Sequence, residues 1–237
     1  MHKLYSRFLC TFCKLHYFFP CSDGYSSNAD ATINCDPCPT GSYSLRTTDI
    51  NGVTYGATAC INCTIGSYND LAGQSSCTLC PEGTYGNTNG STVCTNCPLG
   101  TFANVTGLTV CYVCDVGTFT DLLGQSLCTP CSLGEYTNQT NQSQCVPCSP
   151  GTFTNVSGLS QCYLCDPGKY QTNPGSSGCL SCDFGTYTDI SGVSICSACD
   201  FGTYQDVQGQ TQCTLCAPGY QAASQDQQVC DMQMQQK

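Results

Sequence analysis

The chain has 237 residues, 26 of them cysteine, and a formal net charge of −10 from 16 acidic and 6 basic side chains. Leu, Ile, Val and Phe together fall under the roughly one-fifth share at which a conventional hydrophobic core becomes doubtful, whereas cysteine exceeds the roughly 8–10% that marks a disulfide scaffold. Between Thr47 and Gln236 the sole basic residue is Lys169, which excludes the Lys/Arg stripe that displaces counterions from nucleic acid or holds an anionic lipid surface.

Disulfides persist in oxidising compartments, so the expected location is extracellular or at the cell surface. In chain order, residues 1–20 read first as a leader. Met1 to Arg7 is basic and Phe8 to Phe19 is largely apolar, as in a signal peptide, but Lys14 and His16 interrupt the run and no small-x-small cleavage site precedes Cys21. Cys10 and Cys13 lie in this segment. Residues 21–230 form a tandem array with an insertion within 38–60, and 231–237 is a Gln-rich tail. No stretch reaches the eighteen or so apolar residues of a transmembrane helix.

From Cys60 a cysteine recurs every seventeen residues to Cys230, and all but the last open a C-x-x-C. So strict an internal period predicts stacked units, each meeting mainly its neighbours. Phasing each unit from the second cysteine of one C-x-x-C to the first of the next leaves no remainder. The pairs are Cys21 with Cys35, Cys38 with Cys60, Cys63 with Cys77, Cys80 with Cys94, Cys97 with Cys111, and Cys114 with Cys128. They continue as Cys131 with Cys145, Cys148 with Cys162, Cys165 with Cys179, Cys182 with Cys196, Cys199 with Cys213, and Cys216 with Cys230. Pairing within each C-x-x-C strands Cys21 and Cys230, and interleaved pairing needs an even number of motifs where there are eleven. Sequence favours the sequential pattern without fixing it.

Each of these twelve units carries glycine three residues after its opening cysteine, from Gly24 to Gly219, and an aromatic close behind, as in Tyr68, Phe102 and Tyr187. The glycine suits a turn that requires positive φ. The aromatic is expected on the disulfide or on the next unit's aromatic. Asp or Asn, then a second glycine, as at Asn104 and Gly107, reads as a turn between two short strands. The fold class is therefore small, disulfide-rich and mostly β or irregular, an elongated solenoid-like array of about twelve 17-residue hairpin units, each followed by a two-residue connector. The Cys38 to Cys60 unit carries eight extra residues around Thr47-Thr-Asp-Ile-Asn-Gly52, expected as a surface excursion and the best candidate for a binding patch.

The recurring text C-x-x-C-x-x-G-[TS]-[YF], as in Cys80-Pro-Glu-Gly-Thr-Tyr85 and Cys182-Asp-Phe-Gly-Thr-Tyr187, resembles the cysteine-rich repeats of ephrin type A/B receptors, within the wider growth-factor-receptor cysteine-rich class. It is also similar to the single-disulfide module of tumour-necrosis-factor receptors. The resemblance covers residues 21–230 and implies a non-enzymatic extracellular structural, adhesive or receptor-ectodomain segment whose partners are extracellular proteins or glycans. The ligand-binding domain, membrane span and kinase of those receptors have no counterpart in these residues, so neither ephrin binding nor phosphoryl transfer is implied.

Rival chemistries are weaker. The spacing C-x2-C-x13-C-x2-C would suit four thiolates around zinc, and a tandem metal-thiolate protein is the alternative to a scaffold or a ligand-binding module; the odd number of motifs and the lack of histidine after His16 oppose it. Redox catalysis needs a helix N-terminus or a cation beside C-x-x-C, which this acidic, turn-rich text does not supply. Asp166, Asp183 and Asp200 recur directly after a cysteine, where Asp suits turns more than it suits calcium. No catalytic, cofactor or metal residues are expected. The glycosylation candidates are Asn89, Asn104, Asn138, Asn141 and Asn155, with Asn62 a poor sixth between two cysteines.

Overall fold

The computed structural model describes residues 20–27, 34–222 and 224–232. The expected leader with Cys10 and Cys13, and most of the tail, lie outside these residues. The chain divides into two compact bodies. One comprises Met1–Pro81, Gly86–Thr95 and Gly107–Thr109, the other Glu82–Tyr85, Asn96–Thr106 and Val110–Lys237.

Among the described residues there is no helix, and two-residue strands pair into thirteen two-stranded sheets. The repeat begins with a tight turn. In the Cys97 repeat the Thr101 N–H donates to the Pro98 carbonyl at 3.1 Å, with Gly100 at φ +76°. That is a type II turn with glycine at the position where φ must be positive. The Thr101 hydroxyl donates to the same Pro98 carbonyl at 2.7 Å, and Thr118, Thr152, Thr186 and Thr203 repeat this bond.

Thr101 and Phe102 then form the first strand. Their antiparallel partners are Val113 and Tyr112, the two residues between Cys111 and Cys114. The same register joins Ser67–Tyr68 to Thr78–Leu79 and Thr186–Tyr187 to Ser197–Ala198. The expected connector is thus the hairpin's second strand, and each C-x-x-C is a strand with a cysteine at both ends. Two of the aromatics make a ring contact within their own repeat. Phe102 faces Tyr112, and Phe153 faces Tyr163, across their own hairpins with ring centroids 5.7 and 6.1 Å apart; such tilted pairs add about 0.5–1.5 kcal/mol beyond area burial.

Successive repeats are joined through the backbone. The Gly100 N–H donates to the Thr120 carbonyl at 3.0 Å and its carbonyl accepts from the Cys114 N–H at 2.8 Å, so both its polar groups serve the following repeat. The second glycine returns the link, since Gly124 donates to the Cys97 carbonyl at 2.9 Å. Contacts also reach one repeat further than the sequence suggests. Gly117 lies against the carbonyl of Gly158, and Gly24 against that of Gly73, in each case two repeats ahead.

The interior is narrow. The opening cysteines from Cys38 to Cys199 have no exposed surface, and beside them stands the residue six positions on: Ser44, Asn69, Ala103, Thr120, Thr154, Gln171 and their equivalents, all buried. The polar members are satisfied by bonds chosen to suit their length. Thr120 donates to the Thr101 carbonyl of the preceding repeat at 3.2 Å, while Gln171 and Gln205 span their own loops to the Gly178 and Gln212 carbonyls, each at 2.7 Å. Among the described residues no buried side-chain nitrogen or oxygen lacks a partner, as burial of polar groups requires.

Candidate functional site

All 24 cysteines from Cys21 to Cys230 are joined in twelve disulfides. Eleven close loops of sequence separation 14, and Cys38–Cys60 closes one of 22. The two cysteines of each C-x-x-C belong to different bridges, so the motif holds neither a redox dithiol nor a thiolate pair for zinc. Among the described residues no three His, Cys, Asp or Glu side chains are grouped to hold a metal ion. Asp183 accepts from Gln208 at 2.9 Å and Asp166 lies 3.9 Å from the Lys169 ammonium. Asp200 contributes its carbonyl to a turn.

The insertion is a second small hairpin. Thr47–Thr48 pairs with Thr54–Tyr55, and the turn between them is organised by one carboxylate. Asp49 Oδ1 accepts the N–H groups of Asn51 and Val53, both at 2.9 Å, and Oδ2 accepts the Tyr55 hydroxyl at 3.1 Å. This fixes a turn whose tip, Ile50, is fully exposed. Repeat phasing resumes at once: Gly56 occupies the second-glycine position and packs on Pro20 and Cys21, while the Ala57 carbonyl accepts the Ser27 N–H at 3.2 Å. On the flank, Asp23 Oδ1 accepts the Arg46 N–H at 2.7 Å and faces its guanidinium at 3.4 Å.

The Val53 N–H is the main cause that holds the Asp49 carboxyl below the usual carboxylate range. A depressed folded-state pKa means that its support of the hairpin is complete above the ordinary carboxylate range and is lost as pH falls through the lowered value. The protection factor at Val53, its exchange rate relative to the intrinsic base-catalysed rate at each pH, should therefore fall on acidification. In Asp49→Ala it should already be low at neutral pH and should not fall further in acid, an outcome that exchange monitored by NMR would check.

Outside this hairpin the surface carries apolar side chains in register. Ile65, Leu99, Val116, Leu133, Phe184 and Phe201, each just before the turn glycine, are all exposed. A shallow open depression is lined by Asn87, Thr88, Ser91, Thr92 and Val93, mostly small polar side chains with no charged group. Of the sequons, Asn104, Asn138 and Asn155 occupy the position after the buried residue, and all five candidates are exposed. Asn62 lies in a strand, against Gly90.

The buried position six residues after each opening cysteine escapes sequence reasoning, because Ser, Asn, Ala, Thr and Gln share no chemistry. Its signal is negative: across the array it is never charged and never a large apolar residue.

Tandem two-stranded repeats, each closed by one disulfide and stacked through backbone bonds, define a cysteine-rich module of the receptor-ectodomain type. The chain belongs to the tyrosine-protein kinase ephrin type A/B receptor-like family, which matches residues 52–97, 83–124, 100–141, 117–158, 151–195 and 185–230. Among curated proteins none matches it. The family's repeat is a non-catalytic ectodomain module, and its disulfide density implies an extracellular or cell-surface location. Among the described residues no helix is long and apolar enough to cross a membrane.

Proposed function

We propose that the chain is a non-enzymatic structural or adhesive segment of an extracellular protein, a stapled scaffold that presents surface side chains at a fixed repeat to extracellular proteins or glycans. The observation that carries this reading is the repeat's polar economy. The interior is spent on cystines and on small polar side chains, none without a hydrogen-bond partner, while apolar side chains such as Leu99, Val116 and Leu133 stand outside at one fixed position. A ligand pocket is a concave, mostly apolar cleft with a few convergent polar groups, whereas the depression around Asn87 is open and lined mainly by small polar side chains.

The Asp49-braced hairpin, with its exposed Ile50, favours a second reading in which the chain is a ligand-binding receptor or decoy module. Excision of Thr47 to Thr54 separates the two, because the repeat register continues through Gly56. Surface plasmon resonance of the intact and excised chains on immobilised cell-surface extract would decide. Retained binding after excision supports the scaffold, and loss of binding with all twelve disulfides intact overturns it in favour of the receptor reading.

A further inference from the structure

We infer that Asn104, Asn138 and Asn155 carry N-linked glycans and that Asn89 and Asn141 do not. This rests on the extracellular reading above and distinguishes sequons that look equivalent in sequence.

The three acceptors share one repeat position, seven residues after Cys97, Cys131 and Cys148. Each directly follows a buried residue, Ala103, Thr137 or Thr154, where the chain leaves the interior. Among the described residues no side chain at this position is packed: Asp70, Asn87, Asp121, Thr172, Asp189 and Asp206 are exposed there too. The side-chain amides of Asn104, Asn138 and Asn155 make no hydrogen bond among the described residues, and neither do the hydroxyls of Thr106, Thr140 and Ser157 that complete their sequons. Amide and hydroxyl are both free to enter a transferase site, and a bulky substituent displaces nothing.

The asparagine side chains of the other two sequons lie against earlier repeats, Asn89 through a hydrogen bond and Asn141 by packing alone. Asn89 Oδ1 accepts the Ile65 N–H at 3.1 Å. Its partner hydroxyl, Ser91, is held by Thr88, at 2.9 Å from the carbonyl and 2.7 Å from the hydroxyl. Asn141 stands in a second-glycine position with φ +61°, and its N–H donates to the Cys114 carbonyl at 2.9 Å. Its Oδ1 lies 2.9 Å from where a Cβ on Gly100 would be, so the side chain lies along the repeat two positions back.

The co-reactant is a lipid-linked oligosaccharyl pyrophosphate. The Asn Nδ2 forms a bond to the sugar's anomeric carbon as the bond from that carbon to the pyrophosphate oxygen breaks. The pyrophosphate leaves with the electron pair and the amide proton passes to base. The product keeps one N–H on the modified amide.

The full chain, secreted from cultured eukaryotic cells behind an added leader, provides the test. Amidase release of N-glycans converts each occupied asparagine to aspartate, which peptide mapping reads, while thiol alkylation before reduction counts free cysteines on the same sample. Aspartate is expected at 104, 138 and 155 only. Asn104→Gln, Asn138→Gln and Asn155→Gln should each remove one glycan, and the triple variant should migrate as the bare chain. Occupancy at Asn89 or Asn141, or a bare Asn104, Asn138 or Asn155 in a chain whose disulfides are formed, overturns the acceptor assignment and leaves the extracellular reading standing. Free thiols together with bare asparagines overturn both.

Discussion

Gly117→Ala should cost the array about 2–5 kcal/mol, far more than the addition of one methyl group suggests. Two independent penalties meet there. Gly117 has φ +79°, a left-handed conformation that costs an L-residue about 1–2 kcal/mol. A methyl would also overlap the Gly158 carbonyl oxygen and lie 2.7 Å from the carbonyl carbon. Relief requires moving backbone whose N–H is bonded to the Cys131 carbonyl at 2.9 Å, and overpacking of this kind costs about 1–3 kcal/mol. Gly52 isolates the first penalty, because it has φ +78° with nothing within 4 Å of the added carbon. Gly52→Ala should therefore cost only about 1–2 kcal/mol. Gly86→Ala should cost less than Gly117→Ala: Gly86 stands where Ala103 and Ala222 stand in other repeats, and its Cβ would crowd Cys80 Sγ at 3.1 Å and the Gly66 nitrogen at 3.2 Å without overlapping either. Urea unfolding of the oxidised chain, read by amide exchange repeat by repeat, would rank the three. If Gly117→Ala proves no worse than Gly52→Ala, the contact two repeats ahead contributes nothing to stability.

Reduction of the disulfides should unfold the whole array. Closing a loop of about fifteen residues stabilises the folded chain by roughly 3 kcal/mol in the chain-entropy account, and twelve such loops exceed the roughly 5–15 kcal/mol by which ordinary domains are stable. Nothing else in the repeat replaces them, since a lone two-stranded hairpin is marginal in water and the interior holds no buried Leu, Ile, Val or Phe among the described residues. Loss of one bridge should instead act locally. Removing Cys131–Cys145 by paired alanine substitution should cost about 3 kcal/mol, with faster exchange in that repeat and in those one and two positions to either side. Native-state exchange with mass readout would map that footprint. A fully reduced chain that kept its amide protection would show that stacking suffices without the staples.

The repeat boundaries were legible because turn chemistry is strict. A type II turn needs positive φ at one residue, so Gly24 to Gly219 mark every unit even where the preceding cysteine is missing, as in Cys21-Ser-Asp-Gly24. The second strand was not legible. Thr78–Leu79 or Tyr112–Val113 is two residues long and exposed on both, too short for alternation to register, and the C-x-x-C text draws attention to its cysteines. The contact two repeats ahead was hidden for another reason: it is made by a backbone carbonyl, such as that of Asn141 against Gly100, and tolerates a change of side chain. The sequons could be found in sequence but not ranked, because what distinguishes Asn89 from Asn104 is the bond between Ser91 and Thr88.

The reach of each turn glycine from Gly24 to Gly185 to a carbonyl two repeats on also limits how such a chain can change in length. Removing or adding seventeen residues regenerates every bond from Gly to Cys and from Cys to Gly with new partners of the same kind. Any other change within the stacked positions breaks the bonds of three repeats at once. The loop tip is exempt, because it takes no part in the Gly-to-Cys and Cys-to-Gly backbone bonds, and the eight added residues at Thr47 to Thr54 fold as a hairpin of their own before the register resumes at Gly56. Such a chain can be lengthened by whole repeats and diversified at its tips, so its span and its surface can vary separately.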